Sequence, residues 1–396
     1  MEEYLTYILN AFNLAQDAYN VTKAMRARGI QADLLITSKE RYAFSMPLWE
    51  DGDLSGKAFG DPMNPNNETV NRYGMPDWVR IVKVRSGFRA LSELDLLLKL
   101  PPVFQQYDIV FAHALGSMYT MLLRCKYVPY DAGLIRYLPF SEDRLLPYRG
   151  QGLYVLAAYQ LLKRSYENAS IILFTNPDTL RIFRKAKLKI RFVPFAIPCD
   201  KYSPKSKKGA YKDYGLVFFM PSRHHWKEKG TNRAIRAFSK FTKRNPDSLL
   251  VMVDWGTDID KSKELIRKLT IPSRNIRFVQ PMPKKDLIDM YNEADVVLDQ
   301  FTLGSWGTAT PEAMACEKPV IMYYDVEVIN ECFGSLPPIL NARETDEIYQ
   351  RMEMCRDPET RRKTGATSRA WVKKTHDPSL VVNTHIATAK EVLQKS

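Results

Sequence analysis

Short apolar runs alternate with stretches whose apolar positions recur every three or four residues, and the alternation persists along most of the chain. Residues 5–9 read as a strand. Residues 13–28 place Leu14, Ala18, Val21, Ala24 and Met25 at helical spacing, and Gly29 stops that helix before a strand at 32–36. Residues 108–112 and 171–175 are further strands, each followed by a helical pattern. A second series begins at Leu216–Met220. It continues through a helix over Thr231–Thr242, a strand over Ser248–Val253, a helix over 261–269 and a strand over Ile276–Val279. A helix at 285–293, a strand at 296–299, a helix at 310–315 and a last clear strand at 319–323 complete it. Strands alternating with helices predict parallel sheets covered on both faces. The fold class is α/β, with two doubly wound Rossmann-like domains facing a cleft at the carboxyl ends of their strands.

Two stretches interrupt the rhythm. Residues 40–80 are rich in Gly, Pro, Asn and Asp and read as a long loop, either a lid or acceptor contact or a decorative insertion. Around 191–208, Pro, Ser, Gly and Lys cluster as at a domain boundary. The expected division is 1–207, 208–375 and a C-terminal helix at 376–396, its pattern running over Pro378–Gln394.

Composition narrows the classes. Lysine and arginine total 58 against 45 acidic residues, a formal charge of +13, which suits a protein that meets anions such as nucleotides, nucleic acid or a phospholipid surface. The five cysteines, Cys125, Cys199, Cys316, Cys332 and Cys355, are scattered with no C-x-x-C pair. That favours a reducing compartment over a disulfide framework or a structural zinc site. The N-terminus carries no signal-peptide pattern, and the longest apolar stretch, residues 152–162, falls short of the roughly 20 residues that span a membrane. The expected location is the cytoplasm. Residues 145–164 mix apolar, tyrosine and basic positions, so that peripheral contact with the cytoplasmic face of a membrane and a buried core helix are both open.

Candidate chemistry concentrates in two loops. In residues 296–323 a buried strand ends in a loop of small residues, and a helix opens at Thr310-Pro311-Glu312. Backbone N–H groups and the dipole at such a helix start favour an anion. Gly307 permits close approach of a phosphate. Glu312 either accepts hydrogen bonds from a ribose diol or merely complements the dipole. In residues 216–237 an apolar strand runs into Ser222-Arg223 and then Lys229-Gly230 before a helix. Arg grips a diphosphate bidentately and Lys as a point charge.

These residues resemble the nucleotide-sugar domain of the family 4 (group 1) glycosyltransferases, which have the GT-B fold. Ser222-Arg223 … Glu228-Lys229-Gly230 is similar to the family's G-R-x-x-x-E-K-G, with one extra residue in the loop. Residues 278–296 resemble its strand–helix–strand around the base pocket, and 304–321 its E-G-F-G-x-x-x-x-E-A-M-A-x-G-x-P-V-I segment. Residues 191–204 and 108–113 match the N-terminal half more loosely. The resemblance implies that Arg223 and Lys229 hold the donor diphosphate, that Gly307 and Thr308 offer it backbone N–H groups, and that Glu312 binds the ribose. The family carries two glutamates eight positions apart, whereas Gly304 occupies the first position here. Asp299, Gln300, Thr302 or Ser305 then supply polar contacts, and Trp306 stands where an aromatic is common.

In the N-terminal half, His113 ends a strand where the family places a histidine near the transferred sugar. Asp131 reads either as the acceptor's base or as a turn cap. Asn10 and Asn13 follow the first strand as candidate acceptor contacts, alongside Ser305 and Trp306. His224 and His225 lie in the basic loop. No carboxylate or histidine cluster has metal-ligand spacing, and no cofactor is expected beyond the nucleotide-diphosphate sugar itself. The implied activity is metal-independent, retaining transfer of a hexosyl group from that donor to a glycan or lipid-linked acceptor. The rivals are a GT-B nucleotide-sugar epimerase, motivated by the shared fold, and a degenerate non-catalytic nucleotide-sugar-binding subunit, motivated by Gly304. Nucleic-acid modification ranks last, because no aromatic-basic recognition motif accompanies the charge.

Overall fold

The computed structural model describes residues 6–13, 16–37, 45–52, 75–84, 89–140 and 153–394, with backbone alone at 89–93 and 153–156. The chain divides into two compact units, residues 1–196 with 378–396, and residues 197–377.

The first unit holds a seven-stranded parallel sheet. Its strands are β1 (Ile8–Ala11), β2 (Ala32–Thr37), β3 (Val79–Val82), β4 (Ile109–His113), β5 (Tyr127–Asp131), β6 (Ile172–Phe174) and β7 (Ile190–Phe192), in the order β3-β2-β1-β4-β5-β6-β7. The chain works outward from β1, then returns to its other side with β4. That reversal creates a switch point at the carboxyl ends of β1 and β4, where such sheets take ligands. Helices α1 (Asp17–Ala27) and α2 (Leu153–Glu167) belong to this unit.

The second unit repeats the plan with β8 (Leu216–Met220), β9 (Ser248–Val253), β10 (Ile276–Val279), β11 (Val296–Leu298), β12 (Val320–Met322) and β13 (Leu340–Asn341), ordered β10-β9-β8-β11-β12-β13. Its switch point lies between β8 and β11. All five residues of β8 are buried, as a central parallel strand requires. Helix α3 (Thr231–Thr242) presents Ile235, Phe238 and Phe241 to that sheet, and Phe241 meets Phe218 edge-on at 5.2 Å. Each such buried side chain contributes about 1.5–3 kcal/mol. Helices α4 (Lys284–Glu293), α5 (Ala309–Ala315) and α6 (Pro358–Thr375) follow.

The last helix, α7 (Pro378–Gln394), belongs to the first unit. Val381, Val382 and Val392 join its core. Arg28 donates to Asn383 Oδ1 at 2.8 Å, and Arg191 pairs with Glu391 at 2.7 Å.

The unit boundary falls at 196/197, not at 207/208. The segment after Ala196 is tied to the second unit by backbone bonds. Ile197 N donates to His376 O at 2.9 Å, Lys205 N to Asn292 Oδ1 at 2.8 Å, and Arg369 to Tyr202 O at 2.9 Å. The first strand begins at Ile8, three residues later than the expected start. Its pairing with Ile109 sets that register, and residues 1–5 lie outside the described set. Within the expected loop at 40–80, Pro47–Asp51 is helical and Val79–Val82 is β3, while 38–44 and 53–74 are outside the described residues. Strand β13 went unread. It is two residues long and only half-buried, too short for an apolar pattern.

Candidate functional site

The second unit's switch point is built on one carboxylate. Asp299, just past β11, is buried and accepts hydrogen bonds from Ser222 Oγ, just past β8, and from Thr310 Oγ1 on α5 at 2.6 Å. It stitches the basic loop, the end of β11 and the first turn of α5 together. Asp299 therefore braces the scaffold of the site.

The basic loop is held in shape around two cations. A short helix, Trp226–Lys229, starts where His225 Nδ1 accepts from Glu228 N at 3.1 Å and Asp258 Oδ2 accepts from Trp226 N at 2.8 Å. Arg223, part-exposed, pairs with Glu228 at 2.6 Å. Lys229 Nζ donates to Gln300 Oε1 at 2.9 Å, and Lys229 O accepts from Phe301 N at 2.8 Å. Gly230 is obligatory here. Its φ is +64°, and a Cβ would lie 2.7 Å from Thr302 Oγ1. His225 is thus a helix cap. His224 is buried with neither ring nitrogen hydrogen-bonded, and burial pulls its pKa down to about 4.

The loop between β11 and α5 separates the sequence candidates. Gly304 has φ +76°, and a Cβ would come within 3.2 Å of Tyr323 Cε1 and 3.3 Å of Asp325 N. The left-handed backbone and these close neighbours disfavour the family's glutamate at this position. Gly307 faces open space, with nothing within 4 Å of where a Cβ would stand, and Thr308 immediately precedes α5. Trp306 is not a sugar contact. It is 1% exposed and stacks on Phe333 at 5.5 Å, with the Trp371 ring edge-on at 6.1 Å. Ser305 is equally buried, and its Oγ has no hydrogen-bond partner. Glu312 is buried on α5. Lys284 Nζ donates to its Oε1, and Tyr291 OH to its Oε2 at 3.2 Å. Arg223, Lys229, Gly307, Thr308 and Glu312 thus all belong to the carboxyl-end side of β8 and β11.

In the first unit, His113 closes β4 at the switch point. Its ring stacks on Tyr130 at 4.2 Å, and Tyr130 stacks on His385 at 5.5 Å. His113 Nε2 has no partner. Burial first, and the neighbouring His385 second, hold His113 well below the usual histidine range. Asp131 is not an open base. Its Oδ1 accepts from Gly133 N at 2.7 Å, and its Oδ2 from Ile135 N at 2.9 Å and Tyr166 OH at 2.8 Å, so it caps a turn. Asn10 and Asn13 also turn inward. Asn10 Nδ2 donates to Thr22 Oγ1 at 2.9 Å. Asn13 Nδ2 donates to Ser45 O at 2.6 Å, and its Oδ1 accepts from Tyr19 N at 3.2 Å. Neither side chain is presented to an acceptor.

Sequence reading missed Asp17. It opens α1 beside Tyr130, is buried, and neither carboxylate oxygen makes a hydrogen bond of normal geometry. Burial pushes it up to about 7, offset only in part by the Tyr130 hydroxyl. The available signal was an acidic residue at a helix start following a switch-point strand, which reads equally well as complement to the dipole. Among the described residues no group of three His, Cys, Asp or Glu is placed to hold a metal ion, and no helix is long and apolar enough to cross a membrane. The part of residues 145–164 before 153 lies outside the described set.

Residues 203–338 match the family model described as Glycosyl transferases group 1. A D-inositol 3-phosphate glycosyltransferase of Corynebacterium jeikeium is 26% identical over 160 residues, 36% of this chain and 38% of its own length. That of Kribbella flavida is 27% identical over 198 residues, 46% of this chain and 44% of its own. The chain thus spans less than half the length of these relatives. Among solved structures, Anabaena Alr3699/HepE in complex with UDP-glucose is similar over 98% of this chain and 100% of its own, with a TM-score of 0.69 and 13% identity. Sucrose-phosphate synthase from Thermosynechococcus elongatus matches over 98% and 100%, with a TM-score of 0.68 and 14% identity. The chain has the GT-B fold, and its residues 203–338 are similar to the group 1 glycosyl transferases.

Proposed function

We propose that the protein is a glycosyltransferase that takes a sugar from a nucleotide-diphosphate donor and passes it to a glycan or lipid-linked acceptor. The observation that carries this reading is the second unit's switch point, where Arg223 and Lys229 are brought to the loop that leads through Gly307 and Thr308 into α5. In this reading the two cations and the backbone N–H groups neutralise charge building on the leaving nucleoside diphosphate, where preorganised electrostatics act most strongly. Gly307 leaves room for the phosphate. Glu312 takes the ribose. The cations supply the charge a divalent ion would otherwise bring, so transfer proceeds without metal and, as in family 4, with retention. In the first unit burial keeps the His113 imidazole neutral at the carboxyl end of β4. The scattered spacing of the five cysteines supports a reducing compartment.

The reading is supported by the group 1 match across 203–338 and by fold relatives solved with UDP and UDP-glucose. The fold alone does not choose the reaction, because a structure described as a putative UDP-N-acetylglucosamine 2-epimerase from Listeria monocytogenes also matches, with a TM-score of 0.60. Incubating UDP-, GDP- and ADP-sugars with glycan and lipid-linked acceptors, and following nucleoside diphosphate release and product mass, tests it. Release that requires an acceptor, persists in EDTA and gives a product of unchanged anomeric configuration is expected. Conversion of the nucleotide sugar without acceptor contradicts it in favour of an epimerase.

A further inference from the structure

Three buried side chains of the second unit form a group that the donor contacts alone do not require. Lys284 and Tyr291 are seven residues apart on α4, two turns along one face. Both reach the same partner, Glu312 on α5. Lys284 Nζ donates to Oε1 and Tyr291 OH to Oε2 at 3.2 Å. The side chains are 9% exposed for Lys284 and 3% for Glu312, and Tyr291 is wholly buried against Phe219. A lysine this buried is uncommon unless it answers a charge. The other ionisable groups facing this pair are few. Cys316 caps the C-terminus of Glu312's helix, burial pushes its thiol up to about 12, and it stays neutral. Burial, then Glu312, then Asp299 push the Tyr291 hydroxyl well above its usual range, so that it remains a donor. From α6, Arg369 is directed at the backbone oxygens of Ala315, Tyr202 and Cys199.

We infer that Lys284 is a positioning residue for nucleotide recognition: it holds and aims the Glu312 carboxylate, so that its remaining lone pairs select a ribose diol over a deoxyribose. This rests on the donor-site reading of Glu312. An ionised carboxylate offers about four acceptor sites, of which Lys284 and Tyr291 use two, leaving two for a pair of hydroxyls. A carboxylate left buried without its cation pays heavily for its charge and takes up a proton instead. The protonated acid must spend one oxygen as a donor, and its preference for the diol weakens.

The test is calorimetric binding of UDP against 2′-deoxy-UDP, and of GDP against 2′-deoxy-GDP, at pH 6 and pH 8.5. It is run on the full-length protein, Lys284→Met, Lys284→Arg and Glu312→Gln. The wild type is expected to prefer the ribonucleotide by about tenfold or more at both pH values, the scale of a hydrogen bond to a charged group. Lys284→Met loses most of that preference at pH 6 and regains it at pH 8.5. Lys284→Arg keeps it at both, and Glu312→Gln lacks it at both. Recovery at high pH separates a charge role from structural damage, which pH does not repair. Lys284→Gln poses the same question if the Met variant does not fold. A Lys284→Met preference equal to wild type at both pH values overturns the inference. So does wild-type binding without ribose preference, which leaves the diphosphate site standing. Wild type that binds no nucleoside diphosphate at all removes the donor-site reading together with the inference.

Discussion

Gly304 shows why a single departure from a family pattern carries structural information. Its φ of +76° and its closeness to Tyr323 and Asp325 make a side chain strained there. Gly304→Glu is therefore expected to destabilise the protein by about 1–3 kcal/mol, read as a lower melting temperature, and to add no activity. A variant as stable as wild type would show that the loop adapts. Asp17 gives a second test through its titration. Its pKa in the folded protein, about 7, lies above the 3.8 of an unfolded chain, so its contribution is intact below pH 4 and is lost as pH rises to 7. Asp17→Asn should accordingly gain stability over wild type between pH 4 and 7 and hold that gain above, up to about 4 kcal/mol. His385, pulled down to about 4, and His113 act in the opposite sense, costing stability as pH falls from 6.5 toward 4. A pH-independent difference between Asp17→Asn and wild type would contradict this. The sequence carried Arg223 and Lys229, because their motif spacing reports a loop between a strand and a helix. It did not reveal that the Asp131 carboxylate accepts from Tyr166, or that the Asn10 and Asn13 amides donate to Thr22 and Ser45, since those partners are remote in sequence.

At the scale of elements, legibility followed burial. Strands β8 and β9 and helices α3 and α7 match their expected bounds, because each carries enough apolar residues to show its period; β10 matches too, on Ile276, Phe278 and Val279 at its half-buried edge. Trp306 was misread for the same reason in reverse. An aromatic in a loop looks like a ligand contact until Phe333 and Trp371 are seen to enclose it. The basic loop depends on Gly230, which ends one helix and opens the next. Gly230→Ala is expected to cost about 1–3 kcal/mol, from a strained φ and the clash with Thr302. It should also weaken nucleotide binding beyond that, because Lys229 O is fixed by Phe301 N at the same turn. Thermal melts with and without nucleotide separate the two effects. An unchanged ligand-induced shift would show that Lys229 is not placed by this turn.

At the scale of the molecule, the two-unit α/β plan was legible from the alternation of strands and helices. The boundary was less so, because a Pro- and Lys-rich stretch looks like a linker even where its backbone is bonded to Asn292 and Arg369. The return of α7 to the first unit rests on apolar positions, Val381, Val382 and Val392, that fit a core built from residues between Ile8 and Ala196. In the proposed function the second unit binds a nucleoside diphosphate through Arg223 and Lys229. The most direct measurement is titration calorimetry of UDP, GDP and ADP against the wild type and Lys229→Ala. Binding of one base family, weakened about tenfold to a hundredfold by Lys229→Ala with an unchanged melting temperature, is the predicted result. No binding at millimolar concentration, or equal binding by the variant, contradicts it.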